Sequence, residues 1–250
     1  MSPTDNKVTP RQSTPAAVKL FVALTCAAGI AAIVTSFAWT GQVSGIRLAT
    51  FTVLAAVASV CKLKLPGHDG TMSVNLPYIL LAVAILPGPV ALFVAAVAVT
   101  VQSVWSGRKR LRLLQLAFNI AMVCCAVRLS QIIFAARPHD ATITSSALFL
   151  LLAGVVYFVV NTAATAIVVG LAEHRSPARV WRYIFDLTLP YYALGTSMAL
   201  VGIAMAQYAG WQVPLAAFPL LYGVYRSYRV YFQQAADEGA GFRMSHAATA

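Results

Sequence analysis

Charge is scarce in this sequence: charged residues fill 10% of its 250 positions, and only 7 of them are Asp or Glu. A soluble domain carries about 25%. Apolar residues reach 60% and the mean hydropathy is +0.76. Such a chain could not cover its apolar surface in water, so lipid must be its solvent. So few carboxylates offer no pair suited to general acid–base work. There is no phosphate-cradling glycine loop and no HExxH zinc motif. The dipeptides His68-Asp69 and His139-Asp140 lack the further ligands that a metal phosphohydrolase needs. Cysteine is scarce too. Cys26, Cys61, Cys124 and Cys125 sit in or beside apolar runs without CxxC spacing, as buried small hydrophobes do. These absences argue against an enzyme, and no cofactor or metal is expected.

What is present is a series of long apolar runs, at 17–39, 47–61, 74–106, 113–136, 145–171, 187–208 and 212–228. A helix needs roughly 20 residues to cross the hydrocarbon. The first run is too long for a signal-peptide core and reads as a retained span. The 74–106 run is too long for one crossing, and Pro87-Gly88-Pro89 breaks it into a short helical hairpin, 74–86 and 89–106. The expected fold is an all-α, polytopic membrane helical bundle of about eight (six to eight) transmembrane segments. It occupies residues 16–232 as a single domain. Polar tails at 1–15 and 233–250 read as disordered and cytoplasmic.

The formal charge of +11 records orientation. With eight segments and the N-terminus inside, Arg47 and Arg137 lie outside and Arg128 within a segment. The other fifteen of the 18 basic residues lie inside, Arg108, Arg110 and their neighbours among them. The positive-inside rule therefore places both termini of the chain in the cytoplasm. Its basic loops are expected to meet the bilayer's anionic headgroups, and nucleic acid is not needed to explain the charge.

The polar residues enclosed by the apolar majority are the candidates for a ligand site. Arg128 is the costliest of them, and it shares a face with Gln131 by i,i+3 spacing. The two either line a polar cavity open to the outside, or Arg128 snorkels to the outer headgroups. Asn119 stands one helical turn beyond Gln115. Tyr157, Asn161 and Thr165 follow each other at i, i+4 and i+8 on the next helix. The two asparagines are expected at comparable depth in antiparallel neighbours, either as interhelical hydrogen bonds or as ligand contacts. Tyr192 and Thr196 lie beside Gly195 and Ala199, whose spacing suits close helix packing.

Two surface elements could meet a partner or headgroups. Residues 61–73 alternate polar and apolar around a Pro-Gly and Asp-Gly turn, which predicts an extended hairpin presenting Lys62 and Lys64 on one side. Residues 175–185 read as a short interfacial helix opening at Ser176-Pro177, with Arg179 and Arg182 on its wet side and Val180, Trp181 and Ile184 toward lipid or protein.

The order of Lys62-Leu-Lys-Leu-Pro-Gly, Gly70-Thr-Met-Ser, Leu86-Pro-Gly-Pro, Gln115-Leu-Ala-Phe-Asn119, Tyr157-Phe-Val-Val-Asn161-Thr, Ser176-Pro-Ala-Arg-Val-Trp181 and Tyr225-Arg-Ser-Tyr-Arg229 is distinctive. It resembles the N-terminal multi-helix membrane regions of bacterial HD-GYP phosphodiesterases and GGDEF diguanylate cyclases, over roughly residues 45–232. The resemblance implies a membrane sensor or anchor whose catalysis resides in a cytoplasmic output domain, and it carries over no catalytic residue. Neither a GGDEF nor a GYP motif occurs in the sequence. The chain is thus expected to be a stand-alone sensor module or a fragment of a longer protein. The expected function is a sensory or ligand-binding module that transmits to a cytoplasmic signalling partner. The alternative is a solute-transport component resembling the substrate-binding subunits of energy-coupling-factor systems, with an ATPase as partner.

Overall fold

The computed structural model describes residues 15–38, 41–64, 71–105, 113–138, 140 and 142–212, and single positions beyond them. They form seven helices and one small hairpin: α1 (Ala16–Ser36), α2 (Gly45–Val60), β1 (Lys62–Lys64), β2 (Thr71–Ser73), α3 (Leu76–Ile85), α4 (Gly88–Val104), α5 (Leu113–Ala135), α6 (Ile143–Glu173) and α7 (Pro177–Ala209). Four helices, α1, α5, α6 and α7, are long and apolar enough to cross a membrane; α2, α3 and α4 are apolar but shorter. Of the expected eighth segment at 212–228, Gln212 is described, as are Leu215, Pro219, Tyr222, Gly223, Arg226 and Ser227 in helical conformation, and the other ten residues lie outside the described ones. The two tails lie outside them too, Pro15 apart.

The local signals of the sequence set the boundaries. Ser44 accepts a hydrogen bond from Arg47 N, and Thr142 accepts one from Ser145 N, capping α2 and α6. The break between α3 and α4 falls where expected. Leu86 turns extended, and Pro87 follows at φ −57° and ψ 156° before α4 resumes with Pro89 in its first turn. Helix α6 ends at His174 in the left-handed region, with Arg175 N donating to Gly170 O at 2.9 Å. A side chain at Gly170 would meet Arg175 O at 3.0 Å and Pro177 Cα at 3.1 Å, so this tight α6–α7 turn needs glycine.

One boundary differs from expectation. The interfacial helix at 175–185 and the span at 187–208 are a single helix, α7, running through Pro190. Proline removes one backbone hydrogen bond, whereas a helix in lipid that unwound would expose several. Continuity is the cheaper solution.

Helix α3 is the centre of the molecule. Its 10 residues span about 15 Å, half of the hydrocarbon thickness. Every residue from Leu76 to Val83 is buried. Glycines allow its neighbours close: a Cβ at Gly195 or Gly202 of α7 would stand 2.8 Å from Leu76 or Leu81. Helix α1 also approaches α5 closely, and a Cβ at Gly29 would lie 2.7 Å from the Cα of Ala121. Small residues of this kind drive helix association in lipid, where apolar burial cannot.

At Gly29 the obstacle is backbone, which cannot move aside. Gly29→Ala should therefore lower the thermal midpoint in detergent, at about 1–3 kcal/mol for overpacking. Gly45→Ala, where an added Cβ meets nothing within 4 Å, should leave it unchanged. Equal midpoints for the two variants would contradict this packing.

Candidate functional site

The longest polar side chains inside the bundle reach across to the ends of other helices. Arg128 is buried on α5, and its guanidinium donates from Nε to Thr35 Oγ1 at 3.3 Å and from Nη2 to Thr35 O at 3.1 Å. Thr35 stands in the last turn of α1, whose final carbonyls have no partner within the helix. A cation there also meets the negative end of the helix dipole. Gln131, one turn further, donates to Gly88 O at 3.1 Å, beside the Pro87 break. Ser130 between them donates to Ala153 O of α6 at 2.8 Å. Arg128 and Gln131 do share a face, and what that face gathers is the end of α1 and the start of α4.

The opposite end of the bundle shows the same chemistry. Lys62 is half-buried on β1, and its ammonium donates to Gln102 O in the last turn of α4 at 2.6 Å. Burial lowers its pKa from the ordinary lysine value. Asn75, at the start of α3, donates to Ser59 Oγ at 2.9 Å, and Ser59 donates to Ala55 O. The Tyr191 hydroxyl donates to Ser73 O. The hairpin predicted from alternation does form, pairing Lys62 with Ser73 and Lys64 with Thr71. Helices α2, α4 and α7 all hold its ends.

Between α6 and α7 lies an aromatic cluster around one amide. Asn161 Nδ2 donates to the Tyr192 hydroxyl. Tyr192 packs against Phe158 at 4.7 Å between ring centroids and against Tyr157 at 6.2 Å. Trp181 and Phe185 extend the cluster, with Trp181 Nε1 donating to Thr162 Oγ1 at 3.1 Å. Thr165 bonds Asn161 O at 2.8 Å and approaches Met122 Sδ at 3.6 Å. Two amide oxygens, Asn161 Oδ1 and Gln131 Oε1, are buried without a hydrogen-bond partner. A small polar ligand or a water molecule could use either.

The pairing of Asn119 with Asn161 at one depth does not hold. The contacts of Thr165 with Met122 and of Ser130 with Ala153 fix the antiparallel register. They set Asn161 beside the neighbourhood of Cys124, roughly 7 Å along α5 from Asn119 at 1.5 Å per residue. Asn119 is half-buried and makes no hydrogen bond among the described residues. Arg179 and Arg182 are exposed on the first turns of α7. Arg108 and Arg110 lie outside the described residues, as does the side chain of Lys64. Sequence reasoning missed Asn75, Trp181 as a donor and Tyr191. Only Asn75, directly before Leu76-Pro77, carried a visible signal, that of a helix start.

If the Asn161–Tyr192 bond is a helix tie, a double-mutant cycle with Asn161→Leu and Tyr192→Phe should give a coupling of about 0.6 kcal/mol in unfolding stability. A coupling of zero would remove the tie.

The sequence profile of the MASE9 family matches residues 20–232. MASE domains are membrane-associated sensory domains of signalling proteins. The match takes in all seven helices except the first turn of α1, and the chain belongs to this family. No curated protein and no solved structure matches it.

Proposed function

With membership of MASE9 as the premise, we propose that this chain is the sensory membrane module of a bacterial inner-membrane signalling system. It has no catalysis of its own, and it transmits to a cytoplasmic cyclic-di-GMP enzyme of the GGDEF or HD-GYP kind. The observation that carries the proposal is the family match, because it coincides with the helical bundle itself. Three structural features support it.

The first is charge asymmetry. The hairpin ends of α2 and α3, the α6–α7 turn and the start of α1 lie at one end of the bundle. Lys19, Lys62, Lys64, Arg175, Arg179 and Arg182 are there, against Arg47 and Arg137 at the other. That end is cytoplasmic by the positive-inside rule, and its arginines suit anionic headgroups or an acidic partner. The second is the β1–β2 hairpin, bound to α2, α4 and α7 at that same end. Movement of any of these helices would reach it. The third is the Asn161–Tyr192 cluster, which is where a membrane ligand would engage α6 and α7 together. The transport alternative draws on Arg128 and the Asn119/Asn161 pair as solute contacts, but Arg128 holds the end of α1, Asn161 donates to the Tyr192 hydroxyl, and the two asparagines stand at different depths. The sensory function is therefore the better supported.

Orientation is tested by labelling single cysteines in a variant lacking the four native ones. Arg179→Cys should react with a membrane-impermeant maleimide only from the cytoplasmic side, and Asp140→Cys only from outside. The reverse pattern would invert the arrangement. For signalling, deletion of the protein should change cellular cyclic-di-GMP at least about twofold, and crosslinking should recover a GGDEF or HD-GYP protein. Unchanged nucleotide levels together with solute uptake that depends on Asn161 would favour transport.

A further inference from the structure

Helix α7 is continuous, yet its two halves are held differently. Beyond residue 190 it is packed onto α3. Gly195 and Gly202 lie against Leu76 and Leu81, and Ala199 between them is fully buried. Tyr191 and Tyr192 add bonds to the Ser73 carbonyl and to Asn161. Before residue 190, Arg179, Arg182, Tyr183 and Asp186 are exposed. Trp181 and Phe185 hold this half to α6. The Trp181 indole N–H donates to the Thr162 hydroxyl at 3.1 Å, and the Phe185 ring lies 5.3 Å from Phe158.

Pro190 stands where the grip changes. Having no N–H, it cannot bond the Asp186 carbonyl, and its ring crowds that same carbonyl. Proline is the commonest site of a helix kink. Tyr191 and Tyr192 follow directly and anchor the far side, so bending is confined to the near side. The near side carries the arginines.

We propose that residues 177–189 form a lever that pivots at Pro190, latched to α6 by the Trp181–Thr162 hydrogen bond. Release of the latch loosens residues 178–189 from α6 between the Gly170–Pro177 turn and Pro190, while residues 191–209 stay on α3. The lever rests on the sensory function for its purpose, as the part that moves toward the cytoplasmic output.

Hydrogen–deuterium exchange on the full chain in lipid nanodiscs tests it. Thr162→Val removes the acceptor, and Trp181→Phe removes the donor while keeping a ring beside Phe185. Thr162 also donates to Phe158 O, so Trp181→Phe isolates the latch. Each variant should speed exchange in residues 178–189 about threefold, the factor matching an average interhelical hydrogen bond in lipid. Exchange in 191–209 should not change. Pro190→Ala restores the missing backbone bond, and in combination with Trp181→Phe it should return the segment to its original rate. Equal acceleration in both halves of α7, or none in either latch variant, would overturn the lever. The measurement needs neither ligand nor output enzyme, so its failure is distinct from failure of the signalling experiment.

Discussion

A backbone carbonyl at the end of a helix inside a bilayer has no water to bond, and leaving it bare costs several kcal/mol. This constraint governs the polar chemistry of the molecule. Among the described residues α2, α3 and α4 are too short to carry both ends to the surface by length alone, and α1, though long enough, ends at Ser36 beside the buried Arg128. Donors must therefore come from neighbours. Arg128 serves the end of α1 and Lys62 the end of α4, while Gln131 bonds the Gly88 carbonyl in the first turn of α4. Each is a long side chain that reaches across to another helix. Each therefore ties two elements together as it satisfies a carbonyl.

The packing follows from the same economy of length. Helix α3 cannot cross the bilayer, so it is enclosed by protein, and α7 approaches it through glycines rather than leucines. Because α3 is inside, the hairpin that precedes it is drawn against α2, α4 and α7 through Asn75, Lys62 and Tyr191. A sensory module profits from such an arrangement. The hairpin is bonded to several helices at once, so a shift within the membrane has a direct mechanical route to it.

Much of this was legible in the sequence. Pro87-Gly88-Pro89 announced the break between α3 and α4, because two missing donors around a glycine leave a helix little choice. Alternation around Pro66-Gly67 announced the hairpin, and Ser176-Pro177 the start of α7. Pro190 misled, since one missing hydrogen bond bends a membrane helix without ending it. The depth of Asn119 relative to Asn161 was not legible either. It depends on the α5–α6 register, which tertiary contacts at Thr165 and Ser130 decide. Nor could Arg128 be assigned from spacing, because its partner is a backbone carbonyl 93 positions away in sequence.

The claim that a long buried polar side chain holds the end of another helix can be measured on two residues of one helix. In the same lipid environment, Arg128→Met should lower unfolding stability by about 1–3 kcal/mol, the cost of stranding a buried partner. Asn119→Leu, which removes no observed bond, should stay within about 0.5 kcal/mol. An Arg128→Met variant as stable as the original protein, with Asn119→Leu the more damaging of the two, would contradict the account.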